Sequence, residues 1–451
     1  MTERALERLR LPHPIVLLLG AVIIAALLTW VLPAGEYARK KDDVTGRQVV
    51  VAGTYHAVPA SPGGPWAAAI SIPRGFIEAA DVVIVVLLAG GAFVLLEQLG
   101  VLRRTVGALA SKLGTRGLWA IPAVSLFFYG MGGLENMQEE IIPLIPVLLV
   151  LSRAIGADAL TAVGISAGSA MFGSAFSPVN PFQAGIALKL AELSASSGAA
   201  LRTAMFVVGF IVWMAVLMRH AARNRVAVER ISTVDEAPLA VRDVFMLLAV
   251  LLPVLIYAYG AVQFGWGFNE LAAGFFVGGV VAGMIGRVSV EQITRTFLAG
   301  MEALLPAALL IGVARSISVV FNDGHVIDTI LNRLAMPLSH APATVAALMM
   351  IPFHMLVHVP VPSVSGQAVL TLPLLVPLSD LLGLSRQATV LAFQTGAGLA
   401  DVISPTNGAL MAILLAAGVS FQQWIRFVLT GLALMMLIGI AGILVATFYV
   451  T

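Results

Sequence analysis

Two short polar breaks, Ser177-Pro178-Val179-Asn180-Pro181 and Ser404-Pro405-Thr406-Asn407-Gly408, interrupt otherwise apolar runs in the two halves of the chain. With about twenty residues before each break and about ten after it, each run is long enough to cross a hydrocarbon core. Proline removes a backbone donor and cannot continue a helical ladder, so amides and carbonyls are released where lipid offers them no partner. Such a break is tolerated only inside protein or beside a polar cavity. The chain is thereby constrained to a helical bundle that surrounds both breaks with polar groups.

Composition agrees with a membrane setting. Hydrophobic residues make up 59% of the chain and charged residues 11%, against about 25% charged in globular domains, and the mean hydropathy is +0.97. The expected fold is an all-α polytopic membrane protein. The 26 lysines and arginines against 24 acids form no clustered basic footprint, which argues against a nucleic-acid partner. With no cysteine, disulfides, thiolate metal sites and a cysteine nucleophile are excluded.

Arg4, Arg8 and Arg10 precede the first apolar run, Ile15 to Leu32, and place residues 1–14 in the cytoplasm, the side that lysine and arginine favour. No small-residue cleavage site follows, so the run reads as a retained span. Residues 33–73 carry Gly46, Gly53, Pro59, Pro62 and Gly63-Gly64-Pro65 around a β-type run, Gln48 to Ala52, and read as a small extracytoplasmic flap. The rest of the chain brings the expectation to about nine transmembrane spans plus two re-entrant helical hairpins. The first repeat, 15–227, holds a cytoplasmic-side hairpin over 117–153 and a broken span over 157–193. Residues 228–262 form a cytoplasmic linker and a connecting span. The second repeat, 263–451, holds an outer-side hairpin over 342–382 and a broken span over 384–418.

A single shift along the chain superposes Pro146 on Pro373, Gly156 on Gly383, and Ser177, Pro178 and Asn180 on Ser404, Pro405 and Asn407. Five elements on either side of one odd crossing force the halves to be inverted. Inverted repeats with two unwound spans place a substrate and ion site near the midplane, the arrangement of a secondary transporter.

Glu139-Glu140-Ile141-Ile142-Pro143, Pro362-Ser363-Val364-Ser365-Gly366-Gln367 running on to Pro373, the Leu32-Pro33-Ala34-Gly35-Glu36-Tyr37 exit of the first span and the two Ser-Pro-x-Asn breaks carry a resemblance. The chain resembles the anaerobic C4-dicarboxylate carrier-like (DcuC/YfcC-type) proteins of the ion transporter superfamily. The resemblance implies a secondary active carrier, often a homodimer, with an elevator-type shift of its site. It implies either C4-dicarboxylates or amino acids as substrate, arginine/ornithine exchange among them, and does not decide between them.

The candidate substrate and ion residues are Glu135, Asn136, Glu139 and Glu140 of the first hairpin, Ser177 and Asn180 of the first break, Ser363, Ser365 and Gln367 of the second hairpin, and Asp401, Ser404, Thr406 and Asn407 of the second break. A carboxylate at the centre of a membrane helix costs about 2.5–3.5 kcal/mol on insertion scales, so three glutamates at one tip need a reason. A cationic substrate group, a proton or the basic membrane rim each supply one. Glu140, which aligns with Gln367, is the preferred site-facing member. Oxygens of Ser177, Asn180, Ser404 and Asn407 suit a hard cation such as Na⁺, and Asp401 reads as a handle for a proton or for sodium, or as a structural acid paired within the protein, so the coupling ion is Na⁺ or H⁺. The bland counterpart is a proline kink whose polar residues merely satisfy the backbone.

Lys189 and Arg315 read as interfacial cations, and His354 with His358, one turn apart, as structural residues rather than a two-ligand metal face. Gly164-Ile165-Ser166-Ala167-Gly168 matches the pattern of a nucleophile elbow, but that device needs a strand-to-helix turn. Close helix packing explains the pattern better. The expectation is a non-enzymatic, ion-coupled carrier of a small carboxylate-bearing metabolite in the bacterial cytoplasmic (inner) membrane, in contact with the lipid bilayer, with no cofactor. A basic amino acid antiporter, a passive channel and an intramembrane hydrolase remain as alternatives.

Overall fold

Helix α1, Pro14–Val31, leads into four short strands, β1 Gly35–Glu36, β2 Arg39–Lys41, β3 Gln48–Val50 and β4 His56–Ala57. They pair antiparallel, β1 with β4 and β2 with β3. The computed structural model describes residues 13–43, 45–105, 108, 118–227, 239–264 and 266–449. Arg4, Arg8 and Arg10, the basic Lys112 and Arg116, and the linker around Arg230 lie outside the described residues.

Beyond the strands come α2 Pro65–Glu78, α3 Ala80–Gln98 and α4 Ala120–Glu135, then a 3-10 stretch Glu139–Leu144 and α5 Ile145–Ala154. Helix α6, Ala159–Val163, a π turn Gly164–Gly168 and α7, Ser169–Ala175, run continuously up to the first break. A second π turn, Pro181–Gly185, and α8, Ile186–Leu190, follow it, and α9 Ala199–Arg223 ends the first half. The second half holds α10 Val241–Phe264, α11 Phe268–Ile285, α12 Val290–Asp323 and α13 Ile327–Ala335, then α14 Ala343–His358 and α15 Val364–Leu381. It closes with α16 Arg386–Asp401, α17 Gly408–Ala416 and α18 Phe421–Tyr449. Among the described residues, seven helices are long and apolar enough to cross a membrane: α1, α3, α9, α11, α12, α15 and α18. The architecture is mostly helical, and its described strands form two-stranded ribbons rather than a barrel. Outward-facing Ile23, Ile24 and Leu27 of α1 and Leu248, Leu252 and Leu255 of α10 give it the apolar exterior of a membrane protein.

Two boundaries differ from the sequence expectation. The turn-rich stretch that ran to Pro73 is helical from Pro65, because proline at the first helical position lacks only an N–H that would be orphaned anyway, and Pro73 lies inside α2. Gly130-Met131-Gly132-Gly133, which reads from the sequence as part of the tip of the first hairpin, lies within α4, which continues to Glu135. Its role is packing. A Cβ on Gly132 would stand 2.0 Å from the Ala170 carbonyl oxygen, and one on Gly173 would stand 2.1 Å from that of Tyr129. Helices α4 and α7 thus meet backbone to backbone, the approach that small residues permit in membrane bundles.

Each broken helix leans on the first arm of the hairpin before it, α7 on α4 and α16 on α14. Helix α12 packs along α2, α3 and α17 and is the most enclosed of the seven. The strands are held to the bundle by α13 and α15. The Tyr37 amide donates to Asp328 Oδ2 at 2.9 Å, Arg39 pairs with Asp328 Oδ1 at 3.0 Å, and β3 rests on α15. Burial pushes the Asp328 carboxyl above its usual range, with the Tyr37 amide and Arg39 only partly opposing it.

Candidate functional site

Between these packed units lies a cavity of about 440 Å³, within the roughly 300–1,000 Å³ of small-molecule sites. The first hairpin lines it with Glu135, Asn136, Gln138, Glu139 and Glu140, and the second break with Asp401, Thr406 and Asn407. Ser363 and Ser365 come from the start of α15, Glu78 and Asp81 from the α2–α3 junction, Arg315 from α12 and Arg47 from the strand-bearing segment. Tyr257 and Trp266 supply aromatic wall.

Local chain geometry sets the hairpin contribution. Asn136 ends α4 in the left-handed region, at φ 63°, which asparagine tolerates better than most residues. Its Oδ1 accepts from Ser174 of α7. The chain then turns so that the Gln138 amide donates to Glu140 Oε2 at 3.0 Å. Glu135 is 5% exposed, and neither of its carboxylate oxygens has a hydrogen-bond partner among the described residues.

Asp401 is the hub of a buried side-chain network. Oδ2 accepts from Gln138 Nε2 at 2.9 Å, and Oδ1 accepts from Asn407 Nδ2 at 2.9 Å and faces His358 Nε2 at 2.9 Å. Two backbone groups fix its polarity. The Leu410 amide donates to Asn407 Oδ1 at 3.0 Å, which turns Asn407 Nδ2 toward Asp401 and toward Gln138 Oε1, 3.2 Å away. At the other end Gln367 Nε2 donates to the His354 carbonyl at 2.8 Å, so Gln367 Oε1 faces His358 Nδ1 at 3.1 Å. A carbonyl only accepts, so Gln367 cannot be turned round, and His358 Nδ1 must carry a proton. A neutral His358 would then direct a lone pair from Nε2 at the Asp401 carboxylate. One further proton therefore lies between His358 and Asp401, held as an imidazolium or as a carboxylic acid.

The first break is built differently. Ser177 Oγ donates to the Gly133 carbonyl and accepts from the amides of Val179 at 3.1 Å and Asn180 at 2.9 Å. Asn180 Oδ1 accepts from the amides of Phe182 at 2.9 Å and Gln183 at 3.1 Å, while Nδ2 donates to the Gly132 carbonyl at 3.0 Å. One donor and two lone pairs are all that a hydroxyl has, and two lone pairs all that an amide oxygen has. Both oxygens are therefore fully engaged with protein in this conformation. The two broken helices are tied by Gln394 Nε2, which donates to the Ser177 carbonyl at 3.0 Å.

Of the residues expected from sequence, Glu135, Asn136, Glu139, Glu140, Ser363, Ser365, Asp401, Thr406 and Asn407 share the cavity wall. Ser177, Asn180, Gln367 and Ser404 do not reach it and are buried behind it. Ser404 Oγ pairs with Thr406 Oγ1 at 2.7 Å. Glu139 and Glu140 both reach the cavity, Glu140 being 3% exposed. Arg315 does not sit free at an interface: its Nε donates to Glu78 Oε2 at 3.0 Å within the cavity wall. Ser166 Oγ donates to the Ala162 carbonyl at 2.8 Å inside continuous helix, far from the turn an elbow requires. Gln138 and Arg47 are not among the candidates read from the sequence, and His358, read there as structural, joins the Asp401 network. His354 and His358 form no metal face, and no cluster of His, Asp and Glu suited to a metal occurs among the described residues.

The family model described as "C4-dicarboxylate anaerobic carrier" matches residues 11–448. The chain is 29% identical over 485 aligned positions, 96% of each protein, to an Escherichia coli protein named "Putative basic amino acid antiporter YfcC". It is 26% identical, over 95% of each, to an uncharacterised protein of Haemophilus influenzae. Among solved structures, the YdaH transporter of Alcanivorax borkumensis aligns with a TM-score of 0.46 at 16% identity, over 97% of this chain and 99% of that one. MtrF of Neisseria gonorrhoeae, from a class of antimetabolite efflux pumps, aligns with a TM-score of 0.47 at 17% identity, over 99% of this chain and 98% of that one.

Proposed function

The chain belongs to the C4-dicarboxylate anaerobic carrier family and is a multi-pass membrane transporter; from that premise we propose that it is an ion-coupled secondary active carrier of an amino acid with a basic side chain. The charge of the cavity carries this choice of substrate. Glu78, Asp81, Glu135, Glu139, Glu140 and Asp401 line it against Arg47 and Arg315, and Arg315 is already paired with Glu78. A dicarboxylate would meet like charge on most sides, whereas a guanidinium or ammonium group supplies the missing counter-charge. The name of the Escherichia coli relative points the same way. The second reading, a C4-dicarboxylate carrier, is favoured by the family's own description and requires protons or cations on several of these acids.

For the coupling ion we propose H⁺, held between Asp401 and His358. The oxygens of Ser177 and Asn180, where Na⁺ was the expectation, are fully engaged, while the Asp401–His358 contact requires a proton. Transport follows an elevator-type path in which each hairpin moves together with the broken helix packed on it, against the face formed by α3, α11 and α12. With the flap on the extracytoplasmic side, Arg47 at the cavity supports reading this conformation as outward-facing. The protein works as a homodimer in the cytoplasmic membrane.

Purified protein in liposomes, given labelled arginine, ornithine, succinate or fumarate under separately imposed Na⁺ and pH gradients, tests these points. Arginine or ornithine is expected to be taken up and to respond to the pH gradient alone. Uptake of succinate without arginine would establish the second reading. A response to Na⁺ alone would return the coupling site to the oxygens of Ser404 and Asn407.

A further inference from the structure

We infer that Arg47 of the flap and Glu135 of the first hairpin are the two poles that read the substrate, Arg47 binding its carboxylate and Glu135 its cationic side chain. The inference rests on the basic amino acid reading and adds to it the residues that set specificity, one of them outside the helical bundle.

The flap holds Arg47 in place. Strand β2 pairs with β3 from Arg39↔Val50 to Lys41↔Gln48, and the next pair outward is closed by the Asp42 amide, which donates to the Arg47 carbonyl at 2.9 Å. Asp42 Oδ2 also accepts from the Thr45 amide at 2.7 Å, bracing the turn. Below this, Val49 and Val50 are 3% and 2% exposed, and Tyr37 and Arg39 fasten the ribbon to Asp328. Arg47 therefore leaves a clamped ribbon, not a loose arm, and its side chain borders the cavity.

Its guanidinium makes no hydrogen bond or ion pair with any described residue, whereas the other cation of the cavity, Arg315, is taken by Glu78. On the hairpin, Glu135 is a carboxyl group almost wholly removed from solvent with both oxygens unpartnered. Removing one partner from a buried hydrogen-bonded pair is costly, so an unpartnered carboxyl group facing a cavity points to a ligand that completes it. Glu139 and Glu140 stand beside Glu135, and Asp401 already accepts from Gln138 and Asn407. Glu139 likewise makes no side-chain hydrogen bond with a described residue, but it is half-buried, whereas Glu135 is buried; a free cation and a buried free carboxyl group in the same cavity match a ligand that carries one group of each sign.

Agmatine, which is arginine without its carboxylate, separates the poles. In proteoliposomes, Arg47→Ala is expected to raise KM for arginine about 10- to 100-fold, the worth of a charge-assisted hydrogen bond, with KM for agmatine unchanged and Arg47→Lys partly restoring arginine. Glu135→Gln is expected to weaken arginine and agmatine alike and to leave citrulline, whose side chain is neutral, unaffected. Equal losses for arginine and agmatine in Arg47→Ala, or no loss for either in Glu135→Gln, would overturn the assignment. If the wild type takes up succinate but neither arginine nor agmatine, the basic amino acid reading falls and the Glu135 role falls with it. Arg47→Ala measured with succinate then decides the carboxylate pole by itself: a raised KM keeps it and an unchanged one removes it.

Discussion

On the proposed H⁺ coupling, replacing Asp401 by asparagine is expected to abolish it, with coupled accumulation falling on the order of 100-fold, the effect of about 2.7 kcal/mol. The size follows from the polarity of the network. Asp401 accepts from Gln138 through one oxygen and from Asn407 through the other, so an amide in either orientation sets an NH₂ group against another NH₂. It also cannot share a proton with His358. His358→Gln tests the same proton from the other side, leaving the carboxylate and both amide bonds in place. In liposomes containing a pH indicator, the wild type should move protons with arginine. Both variants should lose that flux, and His358→Gln should still exchange internal for external arginine. Proton flux surviving in both variants would place coupling elsewhere, with Glu135, Glu139 and Glu140 the remaining acids of the first hairpin.

Asn180→Ala is expected to be the most destabilising of the single substitutions at the site. Alanine leaves the amides of Phe182 and Gln183 and the Gly132 carbonyl without the partners Asn180 supplies, at a residue with no solvent exposure. Loss of an N-cap costs about 0.5–2 kcal/mol, and a buried group left unpaired about 1–3 kcal/mol more. Asn407→Ala removes one cap bond, to Leu410, together with three contacts inside the Asp401 network. Both variants should be inactive for transport, but for different reasons. The melting point of purified protein should fall clearly for Asn180→Ala and less for Asn407→Ala. A wild-type melting point with normal transport in Asn180→Ala would show that the first break tolerates the loss of its cap.

Much of the helical layout is legible in the sequence because the membrane makes it so: backbone groups in lipid must pair within a helix, and long apolar runs announce where. The positions of the two breaks, with Asn180 and Asn407 at their downstream edges, were readable from proline and polar residues alone. The wiring between them was not. Gln138 was visible as part of a polar cluster, but its partner Asp401 lies 263 residues further on, a distance no local pattern spans. His358 shares a one-turn spacing with His354 and reads as structural, and nothing in that local pattern points to Asp401. Arg47 sat in the most hydrophilic stretch of the chain, where a basic residue needs no special explanation; only the docking of β2 and β3 on α13 and α15 brings it to the cavity. The glycines of the first hairpin signalled a turn and serve as a contact surface, since the same residue satisfies either demand.

The two breaks also differ in mechanical character. Each α-helical residue turns the chain by about 100°, and a π turn stores one residue beyond the α count, often at functional positions. The first broken helix carries such a surplus on both sides, at Gly164–Gly168 and at Pro181–Gly185, whereas α16 and α17 flank the second break without one. Passing the surplus along the first helix would rotate one of its halves like a ratchet tooth, with no hydrogen bond permanently given up. On the proposed H⁺ coupling, the half without titratable residues at its break would thus be the one that adjusts, and the half that carries Asp401 and His358 the one it works against.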